Sequence, residues 1–126
     1  MANYYSDYPE LEFHLHHPLM ERIVELKERG YSDRETYDDA PVDFEDALEN
    51  YNKVLEIAGD IAANIIEPNS ESVDLEGPHL ENGRMIYASK TFENIEAMKK
   101  AGLTGVEMPR RYGGLNLPIT VFTMIS

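Results

Sequence analysis

The sequence predicts an all-α fold: a small bundle of three or four helices preceded by an extended N-terminal arm. Three observations carry that prediction. Apolar residues recur at helical spacing from Phe44 to Ile66. Two shorter stretches, 18–30 and 89–102, keep a helical period and end on glycine. Strand-like patterning is confined to short pieces at Leu11–Leu15 and around Asn82-Gly83. A chain of 126 residues is about one domain and long enough to bury a core without staples.

The elements follow in chain order. Residues 1–17 lack a helical period, and Leu11, Phe13 and Leu15 alternate with polar neighbours, which predicts an extended arm lying on the core. Residues 18–126 form the helical domain proper. In "PLMERIVELKERG", Pro18 suits the entry, Leu19, Ile23 and Leu26 make the apolar stripe, and Gly30 suits the exit. "YSDRETYDDAP" is polar, ends in proline and reads as a loop. Asp43 is the expected N-cap of the longest helix, with Glu45 and Asp46 in the first turn facing the positive end of its dipole. Phe44, Leu48, Tyr51, Leu55, Ala58, Ile61, Ala62, Ile65 and Ile66 form its stripe. Small residues Ala58, Gly59, Ala62 and Ala63 leave room for another helix to approach, and Pro68 is expected to stop it.

A long connection follows, in which Asn82-Gly83 suits a two-residue turn and a short hairpin near residues 79–86. Ser89 is the expected N-cap of a helix that turns Phe92, Ile95 and Met98 inward and carries Lys99 and Lys100 in its last turn. Gly102 ends it. The loop "LTGVEMPRRYGGLNL" leads to a final helix beginning near Pro118.

Charge narrows the function classes. The formal net charge is −13, and it is uneven. Residues 99–126 set Lys99, Lys100, Arg110 and Arg111 against Glu107 alone, a local +3, which leaves −16 for residues 1–98. Such a body repels phosphate backbones, so nucleic acid is not an expected partner. There is no cysteine, which excludes disulfides and thiolate chemistry and fits a cytoplasmic location. No apolar run reaches the roughly 18 residues that a membrane-spanning helix needs.

Candidate chemistry is sparse. His14, His16 and His17 are of metal-ligand type, but no carboxylate or further histidine stands at a diagnostic spacing, so the expectation is ordinary surface imidazoles and no metal site. Asp33, Glu35, Asp38 and Asp39 lack the ligand spacing and central glycine of a calcium loop and read as a solvated loop. Glu45 with Asp46 is better explained by helix initiation than by acid–base catalysis. "RRYGG" has the charge and backbone freedom of a phosphate cradle. Yet it matches neither nucleotide-binding glycine fingerprint, and the favoured reading is a tight turn between helices with Tyr112 packed as an anchor.

At "AGLTGVEMPRRYGGLNLP" the chain resembles a segment in the N-terminal helical domain of the FAD-dependent acyl-CoA dehydrogenases. There a G-L-x-G…P…Y-G-G pattern precedes an apolar helix. Gly102, Leu103, Gly105, Pro109, Tyr112, Gly113, Gly114, Leu115 and Leu117 stand on that pattern, with Asn116 where the family often has glycine. Residues 43–74 resemble the family's first core helix, and the N-terminal arm resembles an extension found in one of its branches. The resemblance implies α,β-dehydrogenation of an acyl-CoA in a longer parent protein. The parent's FAD and catalytic carboxylate belong to other domains, and this domain helps to wall the acyl pocket. No residue here is then catalytic, cofactor-binding or metal-binding. Gly102, Pro109, Tyr112, Gly113 and Gly114 carry over as a structural turn. The expected partners are the remaining domains of the same polypeptide, and self-association through helix 44–66 or the 118–126 segment. The alternative from another class is a self-contained acidic helical interaction module.

Overall fold

The computed structural model describes residues 1–126. Its elements are α1 (Pro9–Phe13) running into a 3-10 turn (His14–His16), α2 (Met20–Lys27), a 3-10 turn (Ser32–Glu35), and α3 (Phe44–Ile61). A π-helical stretch (Ala62–Ile66) leads into α4 (Glu67–Glu76), followed by a hairpin of β1 (His79–Glu81) and β2 (Arg84–Ile86). Then come α5 (Ser89–Lys100), a 3-10 turn (Arg110–Tyr112) and α6 (Ile119–Ile125). The chain is a mostly α-helical small domain, and α3 is its axis: α2, α5 and α6 all pack against it. Tyr51 and Leu55 of α3, Val24 of α2, Leu15 of the N-terminal segment and Val121 of α6 are all but closed to solvent. No helix is long and apolar enough to cross a membrane.

Local signals set several boundaries. Asp43 caps α3 by accepting from the Asp46 amide at 2.9 Å, and Asp46 accepts from the Val42 amide at 2.9 Å, so both side chains are spent on starting the helix. At the end of α5 the Gly102 amide donates to Lys99 O and the Leu103 amide to Met98 O, both at 3.0 Å. With Gly102 at φ 72°, this pair of bonds is the Schellman cap. Asn82 (φ 51°) and Gly83 (φ 74°) make the hairpin turn, with Leu80 opposite Met85.

Five expectations need correction. Residues 9–16 are helical rather than extended: Pro9 starts the turn in the first-turn position it favours, and Leu15 alone is fully buried there. Pro68 does not stop the long helix. The π-helical stretch just before it widens the hydrogen-bonding ring, which accommodates a residue that has no amide to donate, and the axis continues to Glu76. The fully buried stripe of α2 is Met20, Val24 and Glu28; of the expected Leu19, Ile23 and Leu26 only Ile23 packs on the core, and Leu19 and Leu26 are about 60% exposed. Glu28 completes that stripe at i, i+4, i+8, and its charge hides the pattern from a hydrophobic count. On α5, of the three residues expected to face inward Phe92 and Ile95 are exposed and Met98 packs on the core, beside Ala97. The α5 N-terminus is also held from outside. Glu76 accepts from both the amide and the hydroxyl of Ser89 at 3.0 Å, in place of a cap by Ser89 itself.

The small residues of α3 receive the N-terminal segment rather than a helix. A Cβ on Gly59 would stand 2.3 Å from Asn3 Oδ1 and 2.6 Å from the Tyr5 amide nitrogen. The Tyr4 amide donates to Gly59 O at 3.1 Å, and Asn3 Nδ2 donates to Glu56 O at 2.9 Å, which fixes that contact.

Candidate functional site

The loop between α5 and α6 holds the residues that sequence reasoning singled out, and it closes on itself. Leu115 and Leu117 donate to the Val106 carbonyl at 3.2 and 3.0 Å, and Asn116 donates to Met108 O at 2.9 Å, so the two limbs of the loop run side by side. Gly114 lies where the limbs touch. A Cβ there would stand 2.1 Å from Met108 O, closer than any side chain can be fitted. At the tip, Pro109 opens the 3-10 turn, and Gly113 (φ 87°) leaves it in the left-handed region. Asn116 (φ 55°) takes left-handed angles too, as its side chain permits. Leu103, Val106, Leu117 and Val121 sink into the core beneath the loop.

Pro109, Gly113 and Gly114 shape the tip of the loop, while Gly102 ends α5 before it. Tyr112 does not anchor the loop: the ring is 66% exposed, and the Arg111 guanidinium lies over it at 4.7 Å from the centroid. The anchor is Arg110, a role that sequence reasoning missed. Its side chain turns inward, donating from Nη1 to Glu28 Oε2 at 2.7 Å and from Nη2 to Glu28 Oε1 at 2.9 Å, a two-pronged pair. A third bond runs from Nη1 to Asp33 Oδ2 at 3.1 Å. Asp33 in turn receives Arg29. Two cations and two carboxylates therefore balance in a cluster where the side chains of Arg110 and Glu28 are 5% and 0% exposed. Asn116 adds a bond from Nδ2 to Lys27 O at 3.1 Å. Burial works against the Arg110 charge, but the hydrogen bonds and field of Glu28, then of Asp33, outweigh it and hold its pKa above the ordinary value.

That commitment decides between the readings of "RRYGG". The inward arginine spends both terminal nitrogens on carboxylates, while its buried Nε has no partner within the protein, so its fork is not free to clamp a phosphate. Arg111 alone faces water. The signal that could have found the pairing was Glu28 at the i+8 position of a buried stripe, which required a cation from elsewhere in the chain.

Beside the cluster lies a cavity of about 210 Å³, walled by Tyr51, Val54, Leu115, Leu117 and Arg110, with Asp39 and Lys53 among the others. Burial raises the Tyr51 pKa well above the ordinary tyrosine value, and the nearby Glu28 adds to the rise while Arg110 opposes it. No serine, threonine or histidine lines the cavity.

The remaining candidates are dispersed. His14, His16 and His17 are exposed on or just after the first 3-10 turn; His17 Nδ1 accepts from the Leu19 amide at 3.1 Å, and His16 stands 3.9 Å from Glu12. No three histidine or carboxylate side chains converge as a metal site would require. Asp33 has been recruited by the arginines, whereas Glu35, Asp38 and Asp39 face solvent. Comparison of the chain with protein-family models, with curated proteins and with solved structures gives no significant match.

Proposed function

We propose that this chain is the N-terminal helical module of a flavin-dependent acyl-CoA dehydrogenase, a scaffold that carries no catalytic group and aims an apolar helix toward the acyl pocket. One observation carries the reading. The positions on which the resemblance rests are those the loop uses: Gly102 and Gly105 take left-handed angles with Gly113, Gly114 has no room for a side chain, and Leu103 and Leu117 are buried. A closed loop clamped by Arg110 fixes the direction in which α6 leaves, and α6 is uncharged, with five apolar residues and two threonines.

The residues of this chain do not fit FAD. A flavin's diphosphate needs free donors at a backbone cradle, and the arginine best placed for that purpose is held by Glu28 and Asp33. No step through a flavin is therefore assigned to these residues. Flavin binding and hydride chemistry fall to the other domains of the parent polypeptide.

The test is the coding sequence and its product. A reading frame continuing past Ser126 is expected, and the longer protein should hold stoichiometric FAD that bleaches on adding an acyl-CoA. A frame that stops at Ser126, or a longer protein without flavin, contradicts the proposal.

A further inference from the structure

Cations are scarce in this chain, 11 lysines and arginines against 24 carboxylates. Even so, Lys27, Arg34, Arg84, Lys100 and Arg111 stand in no ion pair. Two of these, Lys27 and Arg111, line one pocket of about 360 Å³ beside the clamp. It lies where the end of α2 meets the tip of the α5–α6 loop, and Arg29, Arg110 and Asp33 complete its charged lining. Arg29 and Arg110 are balanced by Asp33 and Glu28 in the buried cluster. A surplus of two positive charges, on Lys27 and Arg111, is left on one space. The chain's own carboxylates do not meet it: Lys27 Nζ donates to the backbone oxygen of Glu107 at 3.3 Å, and Arg111 lies over the Tyr112 ring.

The backbone around the pocket is already committed. At the end of α2 the carbonyls of Leu26, Lys27 and Glu28 accept from the Arg29 amide, Asn116 Nδ2 and the Ser32 amide, so none stands unpaired against an anion. At the loop tip the amides of Tyr112 and Gly114 donate to Pro109 O, and that of Gly113 to Arg110 O. Those amides therefore offer no cradle of the kind that phosphate sites use. What remains for a ligand is carried by side chains, the Lys27 ammonium and the exposed Arg111 guanidinium. Leu26, Tyr37 and Pro109 add apolar surface to the same pocket.

We infer that this pocket binds a small dicarboxylate, with one carboxylate on the Lys27 ammonium and the other on the Arg111 guanidinium. The planar fork of an arginine matches a carboxylate in a two-pronged pair, and a lysine serves the second as a point charge. Two negative charges balance the two surplus cations, and the carbon spacer rests on the apolar part of the lining. None of this depends on the acyl-CoA dehydrogenase reading, since the pocket asks nothing of a flavin or of another domain.

The test is a titration of the 126-residue chain with succinate and with glutarate, followed by amide shifts in NMR at low salt. Succinamide serves as the uncharged counterpart and inorganic phosphate as the tetrahedral anion. Saturable shifts centred on Lys27, Arg111 and Asn116 are expected with at least one dicarboxylate, weakening as salt rises. Succinamide and phosphate should bind about tenfold more weakly or worse, the loss expected when charge-assisted bonds are not made. Lys27→Gln with Arg111→Gln should weaken dicarboxylate binding about tenfold or more, and Arg111→Gln alone, at an exposed side chain, about fivefold. Arg84→Gln with Lys100→Gln, which removes the same charge outside the pocket, should leave binding within about twofold. Circular dichroism verifies that the variants are folded. Equal weakening by the two pairs, shifts away from the pocket, phosphate or succinamide binding as tightly as the dicarboxylates, or absence of binding would each overturn the inference.

Discussion

Tyr5 and Tyr51 are held in their neutral form by where they sit. Tyr5 is 6% exposed, and its hydroxyl is bonded to Asn52; burial first, then Glu12 and Glu56, push its pKa up to about 12. Tyr51 is 1% exposed with no protein partner on its hydroxyl, and burial raises its pKa further still. A folded-state pKa above the unfolded value of 10.0 means the folded chain keeps protons that the unfolded chain gives up. The associated stability is therefore complete below pH 10 and falls as pH rises through about 12 for Tyr5 and beyond for Tyr51. An alkaline titration followed by phenolate absorbance should show these two as the last of the eight tyrosines to ionise, together with loss of helical signal. Tyr51→Phe should remove the latest part of the titration. Phenolate formation complete near pH 10 with the helices intact would contradict this assignment.

Elements show where the sequence was legible and where it was not. Caps and turns are local: Asp43, Asn82-Gly83 and Gly102 each act on backbone atoms within five residues, so a window of sequence contains the whole cause. The Pro68 expectation failed because the compensation precedes the proline, in a π-helical stretch that no residue type announces. That stretch inserts one residue and turns α4 by about 100° relative to an uninterrupted helix. It carries Asn69 to a site 8% exposed, where Nδ2 donates to Asn94 Oδ1 of α5 at 2.7 Å. Asn69→Ala should cost about 1–3 kcal/mol in urea unfolding, because Asn94 loses a buried partner. A change below about 0.5 kcal/mol, the level of an ordinary surface substitution, would show that α4 and α5 are held by other contacts.

At the scale of the whole molecule, the bundle is closed by a contact that spans 82 residues, Arg110 to Glu28. No local window contains both partners, which is why the loop's glycines were legible and its anchor was not. The same contact turns "RRYGG" from a loop that could hold a phosphate into a joint that ties the loop before α6 to the end of α2. Five of the ten other lysines and arginines make ion pairs, each with a carboxylate three or four residues away. The most direct measurement is a double-mutant cycle in urea unfolding with Arg110→Met, Glu28→Gln and both together. Removing either side chain leaves its partner unmatched at a buried site, so each single change should cost about 3–5 kcal/mol. The double variant should cost less than the sum of the singles by about 2 kcal/mol or more. Single costs below about 1 kcal/mol that simply add would contradict the clamp, and would leave Arg110 free for the ligand that this account denies it.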